Sequence, residues 1–395
     1  MSAGDIRVAV YLAVLVMAAL SLNWSGVPSE GDHASESSSG CSPAPGERNT
    51  GLVVMDSGET VVDLSTVQWP ESFSSRQHVL FGMWYYRTID GRLDTFVKSL
   101  RRTGCDAAVV LFMNSQFISN ATTLRFAKRY GVSVVGFTPR KEIIHKKKFW
   151  VSSLRFVLAD AFLQRYPFFK AAAICDLRDA AVQEDPFRYL VQDLSRKSPN
   201  LRIVAAAEVA VIGDVKKVDY GLNHKFVMDC FGKAAADGLN GSRALCSGTT
   251  LGLMPEIGVY FRKMTQLSLR NFECARLAQD QGVHNYLLRY DDAMKRVVHV
   301  EDPLSSGRIL TMQGVDTVRF HPRTLKLLNA DGKPFVITHQ LPRCGRSVKH
   351  LLRLKIAEDD TAVVSHTPVF EVIPTVEKGD DGTDCDSANV PPYLR

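Results

Sequence analysis

The apolar positions fall into short blocks of two kinds. Val79–Trp84, Ala107–Met113, Val132–Phe137, Ala171–Ile174 and Ile203–Ala207 are runs of four to seven apolar residues without a polar face. Such runs suit strands covered on both sides. Between them the spacing turns helical: Leu93, Phe96, Val97 and Leu100 within Asp90–Arg102, then Ala121–Tyr130 and Phe149–Tyr166. Strands alternating with helices of this length predict an α/β fold with a mainly parallel sheet flanked by helices, a Rossmann-type arrangement. The second half is more mixed. Helices are predicted near Pro255–Ala278 and Val283–Leu288, with strand-like stretches at Val297–Val300, Arg308–Met312 and Phe335–Thr338.

The two ends read differently. Arg7 precedes an apolar run from Val8 that extends to Leu22. At about fifteen residues it is short of the ~20 that span a bilayer core, so it fits either a cleaved signal peptide or a short signal anchor. Arg7 on its amino side, with Glu30, Asp32 and Glu36 beyond, orients the N-terminus to the cytosol and favours the anchor. Residues 1–24 are therefore taken as an N-terminal membrane segment. Residues 25–75, rich in Ser, Gly, Pro and Glu, read as a disordered stem. Residues 76–375 form the folded body, and 376–395, with Glu377, Asp380, Asp381, Asp384 and Asp386, an acidic flexible tail.

Charge adds little, because +6 over 395 residues is too dilute for nucleic acid, and no such partner is expected. Eight cysteines without a C-x-x-C pair exclude a zinc ribbon or thioredoxin-like site and leave lumenal disulfides or buried thiols. Sequons at Asn23, Asn120 and Asn240 agree with export, although Asn120 also suits a helix N-cap.

Candidate chemistry concentrates where the Ala171–Ile174 strand runs into Asp176-Leu177-Arg178-Asp179. Ligands of parallel sheets bind beyond the carboxyl ends of strands. Two carboxylates three residues apart on such a turn can share Mg²⁺ or Mn²⁺ and leave positions open for phosphate oxygens. The alternative is a helix cap at Asp179 and a solvated turn at Asp176.

Asp176-Leu177-Arg178-Asp179 followed by Gln183-Glu184-Asp185-Pro186-Phe187 resembles the Asp-x-Arg-Asp…Gln-x-Asp-Pro-Phe segment of a group of GT-A-type nucleotide-diphospho-sugar transferases. Cys246-Ser247-Gly248 looks like that fold's Ser-Gly loop before a long helix, and Asp280-Gln281-Gly282-Val283-His284-Asn285 like its Asp-Gln-x-x-x-Asn helix start. His339-Gln340 matches the group's His-Gln pair, although Leu341-Pro342-Arg343 replaces its Tyr-Asp-Arg.

The resemblance implies a GT-A-like fold and a glycosyltransferase, using Mn²⁺ or Mg²⁺ held by Asp176, Asp179 and His339. The co-substrate would be a nucleotide-sugar donor, contacted by Arg155, Arg178, Ser247 and Gly248. The acceptor would be a glycan, glycolipid or glycoprotein, with Asp280 and Glu208 as candidates for its recognition or for base catalysis. The expected setting is the Golgi or ER membrane, single-pass type II with a lumenal body, or else secretion. The rival readings are a lumenal binding or scaffold protein on the same fold and a metal-dependent sugar-phosphate enzyme. The first of these would be favoured by His339 and Asp179 lying far apart.

Overall fold

The computed structural model describes residues 52–341, apart from 55, 57–59, 71–75, 87–88, 139–150, 214–220, 271, 276–278, 316–317, 322–323 and 325. The apolar leader and the acidic tail lie outside the described residues. No described helix is long and apolar enough to cross a membrane.

The strands are β1 (Leu52–Val54), β2 (Thr60–Asp63), β3 (His78–Trp84), β4 (Ala108–Asn114), β5 (Val132–Phe137), β6 (Ala171–Cys175), β7 (Ala181–Val182), β8 (Ile203–Val211), β9 (Arg243–Leu253), β10 (Val298–Glu301), β11 (Ile309–Thr311), β12 (Arg319–Phe320), β13 (Leu327–Leu328) and β14 (Ile337–His339). Seven of them make the central sheet, in the order β10-β8-β9-β6-β3-β4-β5. All neighbours pair in parallel except where β9 runs antiparallel to both β6 and β8. The carboxyl ends of β3, β4, β5, β6, β8 and β10 thus share one edge, as the alternating pattern predicted.

Both faces of the sheet are buried, which is why its strands are continuously apolar. In β3 and β4, Val79, Phe81, Val110 and Phe112 pack on one side with Phe156, Phe162, Tyr260, Phe261 and Met264. Those side chains come from the helices Val151–Arg165 and Glu256–Arg270. Leu80, Val109, Leu111 and Met113 face the other side and meet Leu93, Phe96, Val97 and Leu100 of the helix Gly91–Arg102. That helix starts where Asp90 accepts a bond from the Arg92 N–H. At about 1.5–3 kcal/mol for each large apolar side chain removed from water, these two layers are the main source of stability.

Three sequence expectations are corrected. The segment read as stem contributes to the body: β1 pairs with β2, and Val61, Val62 and Val67 enter the core. Second, Cys246–Gly252 is not a loop before a long helix. It lies inside β9, an eleven-residue strand buried except at its two ends. A run that is half small or polar (Cys246-Ser247-Gly248-Thr249-Thr250) carries little strand signal. Third, the helix predicted over Val283–Leu288 is longer, Gln279–Tyr290, and Asp280 lies in its first turn.

A second, three-stranded sheet, β11-β14-β7, stands beyond the carboxyl end of β6. β14 is antiparallel to β7, with Ile337 opposite Val182 and Thr338 opposite Ala181. That register carries the next residue, His339, past Ala180 and toward Asp179.

Candidate metal centre

The structure brings Asp176, Asp179 and His339 together. One ligand atom from each lies within 4.8 Å of the other two, and among the described residues this is the group of acidic, His or Cys side chains placed to hold an ion. His339 Nε2 is 3.3 Å from Asp179 Oδ1 and 3.4 Å from Asp176 Oδ2. Ligand atoms at about 2.0–2.2 Å from an octahedral ion stand some 3 Å apart when adjacent, so the spacing suits one small hard cation. His339 is buried and its Nε2 finds no hydrogen-bond acceptor, whereas the carboxylates of Asp176 and Asp179 reach solvent on one side. A buried imidazole nitrogen facing two carboxylate oxygens at ion-pair distance, without a well-formed hydrogen bond to either, is an arrangement a metal ion could complete.

Each ligand is positioned by a separate device. Asp176 directly follows β6, and its N–H donates to Gly248 O at 2.8 Å. Its two oxygens are divided: Arg155 Nη1 holds Oδ1, and Oδ2 faces His339. Asp179 closes the turn, and its carbonyl accepts from Leu341 N at 3.0 Å, which ties the Asp turn to the chain leaving β14. His339 follows from the β7–β14 register. Directly after it the backbone enters the left-handed region at Gln340, φ 61°, the one such non-glycine residue among those described. A residue with a Cβ adopts that conformation at a cost of roughly 1–3 kcal/mol, and such outliers gather at functional sites.

The motif after the Asp pair is a scaffold for this convergence. Gln183 donates to the carbonyls of Leu327 and Phe335, at 3.2 and 3.0 Å. Glu184 pairs with Arg308, Asp185 caps the turn at Phe187, and Phe187 stacks on His78. These contacts bind the His339 sheet to the main sheet.

Behind the group sits a buried polar layer. Arg155, 3% exposed, donates through Nη2 to Asp280 Oδ2 at 2.8 Å and to Ser247 O at 3.2 Å. Asp280 also accepts from Ser152 Oγ at 2.9 Å and Ser247 Oγ at 2.8 Å. Ser247 and Gly248 reach this place because β9 bulges: Ala205 pairs with Thr250 and Ala206 with Cys246, which leaves Ser247, Gly248 and Thr249 as extra residues. Bulges re-aim side chains next to sites. At Gly248 a Cβ would sit 2.2 Å from His339 Cε1 and 2.6 Å from Asp176 Oδ2, so only glycine fits between these ligands.

The electrostatics follow. Burial opposes ionisation of Asp176, but Arg155, with help from His339, holds its pKa down at about 2. Burial would depress the His339 imidazole; Cys246, Asp179 and Asp176 instead raise it well above its ordinary value. Cys246 Sγ lies 3.4 Å from His339 Nδ1 and so fixes the ring from the side away from the carboxylates.

Several predicted residues stand elsewhere. Arg155 does not reach solvent, where a diphosphate would lie; its guanidinium is consumed by Asp176, Asp280 and Ser247. Arg178 donates to Tyr86 Oη at 2.8 Å and covers that ring at 5.3 Å. Glu208, buried on β8, accepts from Gln281 Nε2 at 3.2 Å and is not one of the converging three. Tyr86 and Ser152 had no signal in the sequence, since only the fold brings them near the Asp turn. The basic stretch Arg140–Lys148 lies outside the described residues.

No family model matches the chain, and no curated relative matches it. Among solved structures it is similar to a glycosyltransferase involved in the glycosylation of the major capsid of PBCV-1. The identity is 9%, over 70% of this chain and 98% of that chain, with a TM-score of 0.33. At that score the likeness carries no argument, and the site rests on its own geometry.

Proposed function

We propose that this protein is a metal-dependent glycosyltransferase of the GT-A type, moving a sugar from a nucleotide-sugar donor to a glycan, glycolipid or glycoprotein acceptor. The observation that supports it most is the meeting of Asp176, Asp179 and His339 at the carboxyl edge of a mainly parallel sheet. His339 Nε2 and Asp179 Oδ1 are 3.3 Å apart, so the separation that would favour a scaffold protein is absent.

Asp176 Oδ2, Asp179 and His339 Nε2 would hold Mn²⁺ or Mg²⁺. Bound there, the ion supplies charge to the departing nucleoside diphosphate. The chain's own contribution is orientation. Arg155 keeps Asp176 ionised and turns Oδ2 outward, and Asp280, with Ser152 and Ser247, neutralises and locates Arg155. Asp280 and Arg155 are thus positioning residues in this reading, and Glu208 braces the Asp280 helix through Gln281. With Nε2 on the ion, Nδ1 would carry the proton and face Cys246 Sγ, 3.4 Å away.

The reading extends to an exported body. The Cys230–Cys274 disulfide supports it, because such bonds persist in oxidising compartments. Asn120 and Asn240 are both exposed and open to modification. Expressed with its leader in a secretory cell, the protein should shift in gel mobility on N-glycosidase treatment; no shift, with cytosolic fractionation, rejects the lumenal setting. The transfer reaction is tested by screening nucleotide-sugars for release of nucleoside diphosphate, with and without Mn²⁺. Release from no donor, or release indifferent to chelation, rejects the proposal.

A further inference from the structure

A cavity of about 330 Å³ lies away from the Asp176 group, between the segment after Phe187, the end of β10 and the turn before β11. Gly307 and Arg308, in its wall, immediately precede β11, which runs parallel to β14 with Thr311 beside His339. At ~3.3 Å per strand residue, the cavity is roughly 10 Å from His339 along the small sheet.

Three features mark it as built. Its buried floor is Glu301, 2% exposed, which pairs with His299 Nε2 at 3.1 Å and accepts from Tyr189 Oη. Arg308 lies over the Tyr189 ring at 5.4 Å and pairs with Glu184. One wall is π-helical over Tyr189–Leu194, closed by Ser195 N–H donating to Leu190 O. π-Helical turns are rare and often occur at functional sites. Finally, the wall carries an apolar side chain open to water, Val300, at 41% exposed.

The chemistry of the walls selects a ligand class. Glu301 is engaged by His299, the Tyr189 hydroxyl and the Arg308 backbone N–H, and Arg308 pairs with Glu184, so both side chains are already taken up by contacts within the protein. The groups at the mouth are hydroxyls (Ser305, Ser306), carboxylates (Asp193, Asp331) and the Lys333 ammonium. Carboxylate, imidazole and hydroxyl groups match the alternating donors and acceptors of vicinal diols, and Val300 matches the C–H face of a sugar ring. A volume near the lower bound for small-molecule pockets suits a mono- or disaccharide.

We infer that this cavity is a second carbohydrate site, binding a neutral saccharide apart from the Asp176 group. The inference deepens the glycosyl-transfer reading and rests on it for the ligand's part in turnover, as a distal portion of the acceptor.

The test is saturation-transfer NMR on the full chain with methyl β-galactoside, methyl α-mannoside, methyl β-xyloside, N-acetylglucosamine and lactose at millimolar concentration. Inorganic phosphate and an alkylamine serve as charged probes. At least one sugar should give signal with the wild type and with Asp179→Asn, whose metal group is disabled. Ser306→Trp, at an exposed position on the rim, should reduce it at least tenfold while the melting temperature stays the same. His299→Ala should weaken it as well. Absence of signal from every sugar, signal that survives Ser306→Trp, or preferential binding of phosphate or amine there overturns the inference. Binding that persists in a protein releasing no nucleoside diphosphate from any donor would sink the transfer reading but leave the saccharide site standing; release without binding would do the reverse.

Discussion

Replacing Gly248 by alanine tests the metal centre without touching a ligand. The added Cβ would lie 2.2 Å from His339 Cε1, 2.8 Å from His339 Nε2 and 2.6 Å from Asp176 Oδ2. Ordinary carbon contacts are about 3.5–4.0 Å, so the ring and the strand must separate by more than ~1 Å. Neither can yield cheaply. His339 is 1% exposed and fixed by the β14 ladder, and Asp176 is held by Arg155. Overpacking of this kind costs about 1–3 kcal/mol, and at ~2–4 °C per kcal/mol for a body of this size the metal-free protein should melt several degrees lower. Disturbing the groups that orient metal ligands typically weakens binding about 10–100-fold, so Mn²⁺ affinity should fall by that factor. The assays are thermal unfolding in chelator and Mn²⁺ titration followed by electron paramagnetic resonance. Gly91→Ala is the control, because a Cβ at that first helical residue meets nothing within 4 Å. Wild-type Mn²⁺ affinity in Gly248→Ala would refute the convergence of these three ligands.

Asp179→Asn should abolish metal-dependent release of nucleoside diphosphate while the chelated protein melts near wild type, since its carboxylate is partly exposed; activity kept within a few-fold removes Asp179 from the site. Metal binding requires neutral His339, and Asp176, Asp179 and Cys246 raise its pKa well above about 6.5 in the metal-free protein. The proton therefore competes, and Mn²⁺ affinity should climb as pH rises through that elevated value. The stability His339 gives the metal-free protein is present below about 6.5 and lost over the same rise, and His339→Ala should flatten both profiles. Equal Mn²⁺ affinity across the range in wild type contradicts this. Arg155→Leu strands Asp280, 4% exposed, without its cation. Breaking a buried pair in this way costs about 3–5 kcal/mol, a loss measurable by chemical denaturation; Arg155→Lys should recover part of it, and an unchanged denaturation midpoint in the leucine variant would show that Arg155 does not support the core.

The sequence by itself determined the layers of this protein. Runs such as Ala107–Met113, without a polar face, have no use except in a strand covered on both sides, and Leu93, Phe96, Val97 and Leu100 fit only one face of a helix. A carboxylate pair directly after such a strand had to stand at the sheet's ligand-binding edge, so Asp176 and Asp179 were legible as a pair. The apolar strand before His339 made that residue a candidate too.

What only the tertiary structure decided was the contacts made across long separations in the chain. Arg155 reads in the sequence as a helical charge that could face a ligand, yet helix packing turns it inward between Asp176 and Asp280. Arg178 is offered by the resemblance as a donor contact, and its partner in the fold is Tyr86, 92 residues away. Cys246–Gly252 was misread because small and polar residues form a strand only when neighbours on both sides supply the ladder. The bulge that places Gly248 between two ligands exists only through that pairing. Local spacing encodes which way a side chain points along its own element. It does not encode which element comes to lie against it, because that depends on how all the buried faces fit together at once.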